Sequence, residues 1–267
     1  FWDTVWGLHP LEPILFVETA YGSLPVHQLN HQTSQVFQFN DIPYYLLTNP
    51  RFAKAYQKRF VQNALLSAEE WQTAFATRAK EICFMFERRP EPHHWVQWPQ
   101  ANLIGLCSWR TELAEAFTTP DVERLGRTWD RREPRQSLPD WHQDKLTHLD
   151  RRARYIGAYE NTHQPDYITE KLFDAFACGA LPLYYAGPNH RIHDLDLPAQ
   201  AWLNSYGLGP SEAAEAITTH QITLSVCTAY AAAQQKLAER FTTPDIFVQE
   251  GQRLRHALLD ALKQVLG

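Results

Sequence analysis

Tyr159 to Pro188 reads YENTHQPDYITEKLFDAFACGALPLYYAGP, and the six residues before it, Ala153 to Ala158, read ARYIGA. The segment ARYIGA reads as a strand, and the stretch Thr162 to Ile168 as a loop. A helix is then expected from Glu170 to Cys178, with Thr169 as its N-cap and Gly179 at its C′ position, so local chemistry defines both of its ends. Leu172, Phe173, Ala175 and Phe176 supply its packing face, and Ala180 to Tyr185 predicts a second buried strand. A strand, a capped helix and a return strand make a βαβ unit. The helix N-terminus of such a unit, pointing out of a sheet, is an anion site, because free backbone N–H groups and the positive end of the helix dipole meet there. Lys171 falls in the first turn, where a cation opposes the dipole unless a ligand uses it. Residue by residue, Glu170 and Lys171 equally suit an exposed helix start, and Tyr167 a loop anchor.

Working outward, Glu81 to Phe86 (EICFMF) and Leu103 to Leu106 are further strand candidates. Thr111 to Phe117, Asp140 to Arg152, Ser211 to Ile217 and Leu224 to Arg240 read as helices. Alternation of strands and helices from about residue 80 predicts an α/β fold with a parallel, doubly wound sheet. Ligands of such sheets lie beyond the carboxyl ends of the strands, where the strand order reverses. Upstream, Pro13 to Glu18 (PILFVE) reads as a buried strand ending in a carboxylate, and Pro50 to Ala79 as two amphipathic helices. Gln249 to Leu266 carries an apolar stripe of Leu254, Leu258, Leu262, Val265 and Leu266.

The chain has 267 residues, 44% hydrophobic and 21% charged, with a net charge of -5. These values exclude a disordered or fibrous chain and argue against nucleic acid binding driven by overall charge. The chain opens on Phe1 and not on Met, so a strand upstream is expected to be missing. Cys83, Cys107, Cys178 and Cys227 are too few and too dispersed for a disulfide scaffold, which predicts reduced thiols and a cytoplasmic location. No apolar run reaches the roughly 18 residues needed to cross a bilayer, so any membrane association is expected to be peripheral, at the inner face. Twelve histidines occur, but none combines with cysteines or carboxylates at a metal-ligand spacing, and no metal site is expected. Arg131, Arg132, Arg135, Arg151, Arg152 and Arg154 read first as solvated charge and second as a basic surface toward an anionic acceptor or lipid headgroup.

Glu160-Asn161, Tyr167-Ile168-Thr169-Glu170-Lys171-Leu172 and Gly179-Ala180-Leu181-Pro182 together closely resemble the donor-site motif of the α-1,3/4-fucosyltransferases, glycosyltransferase family 10. Weaker similarity extends to Cys107-Ser108-Trp109-Arg110 and to Ala201-Trp202-Leu203-Asn204. The resemblance implies a GT-B architecture, two Rossmann-like lobes with the donor site in the C-terminal lobe. With the boundary read from the sequence near Arg78, the lobes fall as a short acceptor-side lobe over 1–78, a nucleotide-sugar lobe over 79–245, and a terminal amphipathic helix over 246–267 packing across the two. The resemblance also implies an inverting transfer of fucose from GDP-fucose to a saccharide or lipid-linked saccharide acceptor in lipopolysaccharide-type surface glycan synthesis. Arg110, Asn161, Tyr167, Glu170 and Lys171 would contact the donor, Arg110 and Lys171 bracketing its diphosphate. The family's catalytic base lies just after a strand of the first lobe, which points to Glu18, with Glu160 as second candidate. The transfer requires no cofactor, although Mg or Mn at the diphosphate is compatible with it. A different nucleotide sugar on the same fold, or a sugar-nucleotide-binding protein without catalysis, are the alternatives.

Overall fold

The computed structural model describes residues 12–130 and 137–266. Its centre is a five-stranded, all-parallel sheet built from β3 (Lys80–Met85), β6 (Val122–Leu125), β7 (Ala153–Gly157), β9 (Leu181–Tyr184) and β10 (Leu203–Asn204), in the order β10-β9-β7-β3-β6. Two antiparallel pieces flank it: a hairpin of β1 (Ile14–Thr19) and β2 (Gly22–His27), and a small sheet of β4 (Gln97–Trp98), β5 (Leu103–Gly105) and β8 (Thr162–His163). The expected doubly wound sheet is present.

From β3 the chain passes through α4 (Cys107–Ala116) to β6 on one side, and later leaves β7 through α6 (Glu170–Ala177) to β9 on the other. Because parallel crossovers are right-handed, these opposite directions place α4 and α6 on opposite faces. The strand order therefore reverses between β3 and β7, and the crevice beyond their carboxyl ends holds the loop Ala158–Asn161. The reversal depends on β6, which the sequence reading does not find. Its VERL sets two charged residues between two apolar ones and lies at the sheet edge, where Glu123 is paired with Arg152.

β9 is wholly buried yet contains Pro182. Ala158 donates to the Leu183 carbonyl and Ser205 to the Tyr184 carbonyl, so Leu183 faces β7 while Pro182 and Tyr184 face β10. The β10 ladder begins opposite Leu183, so the missing N–H of Pro182 falls where that neighbour has not yet begun to pair. Gly157 is equally constrained: a Cβ there would lie 2.4 Å from the Phe84 ring.

α2 (Pro50–Asn63) packs with α6, α8 (Leu224–Thr242) packs with α2 and with α3 (Ala68–Ala76), and α7 (Pro210–Thr219) packs with α4. Over the described residues 12–78, buried apolar side chains share the core of the sheet. Phe39, Ile42, Phe52, Tyr56, Phe60, Trp71 and Phe75 belong to the same buried cluster as the sheet, so the packing is continuous across the boundary expected near Arg78. The terminal helix, α9 (Pro244–Leu266), lies against Gln35–Phe37 and α1 (Tyr44–Leu47). Buried Glu250 anchors it by accepting from the amides of Asn40 and Asp41, both at 2.6 Å, and Leu258, Leu262 and Val265 of its apolar stripe are exposed. The β1 strand, expected to be buried, is an exposed hairpin arm. A two-stranded ribbon without a third strand or helix across it cannot bury either face.

Helix α6 ends as its sequence predicts. Gly179 adopts φ +69°, its amide bonds to the Phe176 carbonyl at 3.0 Å, and the Ala180 amide bonds to the Ala175 carbonyl at 3.1 Å. A Cβ on Gly179 would also meet Trp71 and Arg78 at 3.3 Å. Gly179→Ala is therefore expected to destabilise the fold by about 1–2 kcal/mol, the cost of a left-handed non-glycine residue, read as a lowered urea midpoint with unchanged m-value.

Candidate donor site at the strand-order reversal

The loop after β7 is held from below. Arg110, buried in α4, donates through Nη1 to the carbonyls of Tyr159 (3.1 Å) and Glu160 (3.2 Å), and its guanidinium lies 4.7 Å from the Phe86 ring centre. The Leu106 amide donates to the Asn161 carbonyl at 2.8 Å. The helix after β5 starts at Cys107, earlier than the sequence indicates, and this extra turn carries Arg110 under the loop.

Above that support lies a compact ionic network. The Glu160 carboxylate, 3% exposed, accepts from the Thr169 amide (2.7 Å), from the Thr169 hydroxyl (2.9 and 2.8 Å) and from Lys171 Nζ (2.9 Å). Lys171 Nζ also donates to Thr169 Oγ1 (2.8 Å) and lies 3.4 Å from Glu170 Oε1. Thr169 does occupy the N-cap position of α6, but its side chain makes no capping bond. Its hydroxyl is committed to Glu160 and Lys171, so the first-turn amides of α6 have no side-chain cap.

Charge states follow from these contacts. Burial acts to lower the Lys171 pKa, but Glu160 and Glu170 outweigh it and hold the ammonium well above the usual lysine range. Burial acts to raise Glu170, but Lys171 and Lys145 outweigh it and keep the carboxylate ionised. Lys171 is thus a fixed cation at the positive end of a helix, balanced by two carboxylates.

Further residues form the walls. Tyr167 meets His31 edge-on at 4.7 Å between ring centres, and His31 and Phe37 both contact Tyr44. The Tyr44 phenol is pushed up to about 12, first by burial and then by the charge of Glu160. Asn161 is half-buried beside the network. Beneath α6, Asp174 Oδ1 accepts from Tyr56 (2.6 Å) and His142 Nε2 (2.7 Å), its Oδ2 forms an ion pair with Lys145 Nζ (2.6 Å), and Tyr56 also donates to the Glu170 carbonyl at 3.3 Å. This buried cluster ties the first turn of α6 to α2 and to α5 (Trp141–Leu149).

Of the expected residues, Glu160, Asn161, Tyr167, Glu170 and Lys171 converge, and Arg110 supports their loop. Glu18 lies elsewhere, exposed on the β1–β2 hairpin opposite Ser23. Sequence reading misses the role of the Thr169 hydroxyl, and it misses His31, Tyr44, Tyr56 and Asp174. Only the Thr169 role has a local signal, its position between Glu160 and Lys171; the others are brought in by packing. Among the described residues no group of three or more His, Cys, Asp or Glu is arranged to hold a metal ion. Cys83, Cys107, Cys178 and Cys227 are buried free thiols. No helix of the described residues is long and apolar enough to cross a membrane. Arg131, Arg132 and Arg135 lie outside the described residues.

A crevice at a strand-order reversal, a helix N-terminus without a side-chain cap and a fixed lysine are features that suit an anionic ligand. Residues 108–207, which contain this site, match the family model described as glycosyltransferase family 10 (fucosyltransferase) C-term. A 72-residue stretch is 39% identical to the alpha-(1,3)-fucosyltransferase 4 of Bos taurus, covering 27% of this chain and 17% of that relative. The chain thus spans about one sixth of the length of the curated relative it matches. The matched segment is thus similar to the C-terminal part of glycosyltransferase family 10, the fucosyltransferases.

The site loop is flanked by His31, His163 and His190, whose pKa values burial lowers to about 3, about 4 and about 3. An unfolded histidine takes up its proton near pH 6.5, so between pH 6.5 and 4 the unfolded chain binds more protons and stability rises with pH. Acidification from pH 6.5 to 4.5 should lower the unfolding free energy by up to about 1.4 kcal/mol per pH unit for each histidine that stays neutral. Urea unfolding at stepped pH checks this, and His163→Gln should flatten the slope.

Proposed function

We propose that this chain supplies the donor half of an inverting glycosyltransferase of GT-B type, which moves fucose from GDP-fucose to a saccharide hydroxyl during surface glycan synthesis at the cytoplasmic face of the membrane. The observation that carries the reading is the Glu160–Thr169–Lys171 network at the start of α6, inside the segment that matches the family. When a glycosyl–phosphate bond breaks, negative charge develops on the leaving diphosphate. A fixed ammonium and aligned backbone amides stabilise that charge more in the transition state than in the ground state. Lys171 and the first-turn amides of α6 are the groups assigned to this role.

Glu170 and Glu160 are anionic and would repel a diphosphate, so their oxygens suit hydroxyl or N–H donors of the nucleoside and sugar. Arg110 has its Nη1 committed to the loop carbonyls and acts first by holding the loop. Asn161 and Tyr167 offer neutral polar groups at the rim. A direct displacement also needs a base for the acceptor proton. Glu160 is the carboxylate inside the site, but both its oxygens accept hydrogen bonds from Thr169 or Lys171; Glu18 has no contact with the site.

Lys171→Ala should weaken GDP binding by about 10- to 100-fold, the loss of a charge-assisted hydrogen bond worth roughly 1.5–3 kcal/mol, and reduce transfer at least as much. Glu18→Gln should leave GDP affinity as it is. Calorimetry with GDP, UDP, CMP and TDP, followed by a GDP-fucose hydrolysis assay, reads both the nucleotide and the chemistry. Wild-type GDP affinity in Lys171→Ala would remove the site assignment, and preference for another nucleotide would replace the donor.

A further inference from the structure

At the opposite edge of the sheet, a pocket of about 260 Å³ opens between α2 and α5, with Lys58, Arg59, Gln62, Gln143, Asp150 and Arg151 in its wall. It is separate from the donor site. Asp150 and Arg151 precede β7 and Glu160 follows it, so the five residues of that strand, about 16 Å, lie between the two.

The charge around this pocket runs against that of the whole chain. The net charge is -5, yet α2 (PRFAKAYQKRFVQN) carries Arg51, Lys54, Lys58 and Arg59 and no carboxylate. Arg51, Lys54 and Lys58 are exposed at spacings of three and four, so they share one helix face, where like charges repel by about 0.2–0.5 kcal/mol per pair. Nothing in the fold requires that repulsion, since the packing of α2 is done by Phe52, Tyr56 and Phe60 on its other face. The single carboxylate of the pocket, Asp150, is neutralised by Arg59 at 2.5 Å. Arg151 is held in place by donating to Asn63 Oδ1 at 2.8 Å and by lying 5.4 Å from the Trp71 ring centre. Its backbone is left-handed, at φ +51°. Lys58 has no hydrogen-bond partner or ion pair among the described residues, and Gln62 and Gln143 add neutral N–H donors. Three cations, one of them neutralised by Asp150, thus line one concave space together with the side-chain amides of Gln62, Asn63 and Gln143, the last already donating to Thr147 Oγ1 at 3.3 Å.

We propose that this pocket binds a phosphate group, either a free phosphate or the phosphodiester of an anionic lipid headgroup. Cationic and amide N–H donors around a small concave space match the acceptor oxygens of a phosphate. The pocket does not depend on the reading of the donor site.

The double variant Lys58→Glu with Gln143→Glu tests it. Both side chains are exposed, and a carboxylate at position 143, in the first turn of α5, favours the helix dipole. Sodium phosphate at constant ionic strength is titrated into the full chain while the Gln62 side-chain amide is followed by ¹H–¹⁵N spectroscopy. Sedimentation with phosphatidylglycerol and phosphatidylcholine vesicles reads the lipid source. Saturable movement of the Gln62 amide, with half-saturation raised about tenfold or more in the variant, supports a free phosphate ligand. Sedimentation with phosphatidylglycerol only, lost in the variant, supports a headgroup. If phosphate leaves the Gln62 amide unmoved and wild type and variant sediment alike, the proposal is overturned.

Discussion

The Glu160 carboxylate is the constraint on which the site depends. A buried carboxylate without donors is strongly disfavoured, and here the donors come from a segment nine to eleven residues further on, the Thr169 amide, the Thr169 hydroxyl and the Lys171 ammonium. Satisfying that one group joins the loop after β7 to the start of α6. It also explains two features that look unfavourable in isolation, a lysine in the first turn of a helix and an N-cap threonine that does not cap. Each is compensated by Glu160, and the result is a helix N-terminus whose amides remain available to a ligand.

Around this network the structure is built in supporting layers. Arg110 holds the loop from the α4 face, and the Tyr56–His142–Asp174–Lys145 cluster holds the first turn of α6 from the other face. Buried polar clusters of this kind add little net stability, because desolvation offsets their attraction, but they restrict the positions a helix can take. The three helices that share the Asp174 cluster are thereby kept in register under the candidate site. The aromatic wall of His31, Phe37, Tyr44 and Tyr167 does the same at the rim by packing.

Two edges of one sheet thus carry contrasting electrostatics. At the carboxyl ends of the strands, one lysine is matched by two carboxylates, and its cation is fixed by them. At the amino end of β7, cations from α2 and the preceding turn gather around a single carboxylate. The separation follows from chain direction in a parallel sheet, which sends every strand's leading loop to one edge and every trailing loop to the other.

The sequence by itself determined the elements whose chemistry is local. The ends of α6 were legible because Thr169 and Gly179 act within one turn, and β3, β7 and β9 because short segments rich in apolar and aromatic residues suit buried strands. The convergence of Glu160, Asn161, Tyr167, Glu170 and Lys171 was legible because all five lie within twelve residues of one βαβ unit. Tertiary structure alone decided what lies far apart in sequence. β6 is a mixed edge strand whose place follows from the crossover path; Tyr56 reaches Asp174 across more than a hundred residues; and Tyr44 reaches the site through α1 packing. The same holds for the upstream residues. Phe52, Tyr56 and Phe60 could serve a core of their own or the core of the sheet, and only the packing of α2 against α6 and α8 selects the second. Glu18 follows an apolar run that suits a buried strand, but burial needs a covering layer, and the hairpin has none among the described residues.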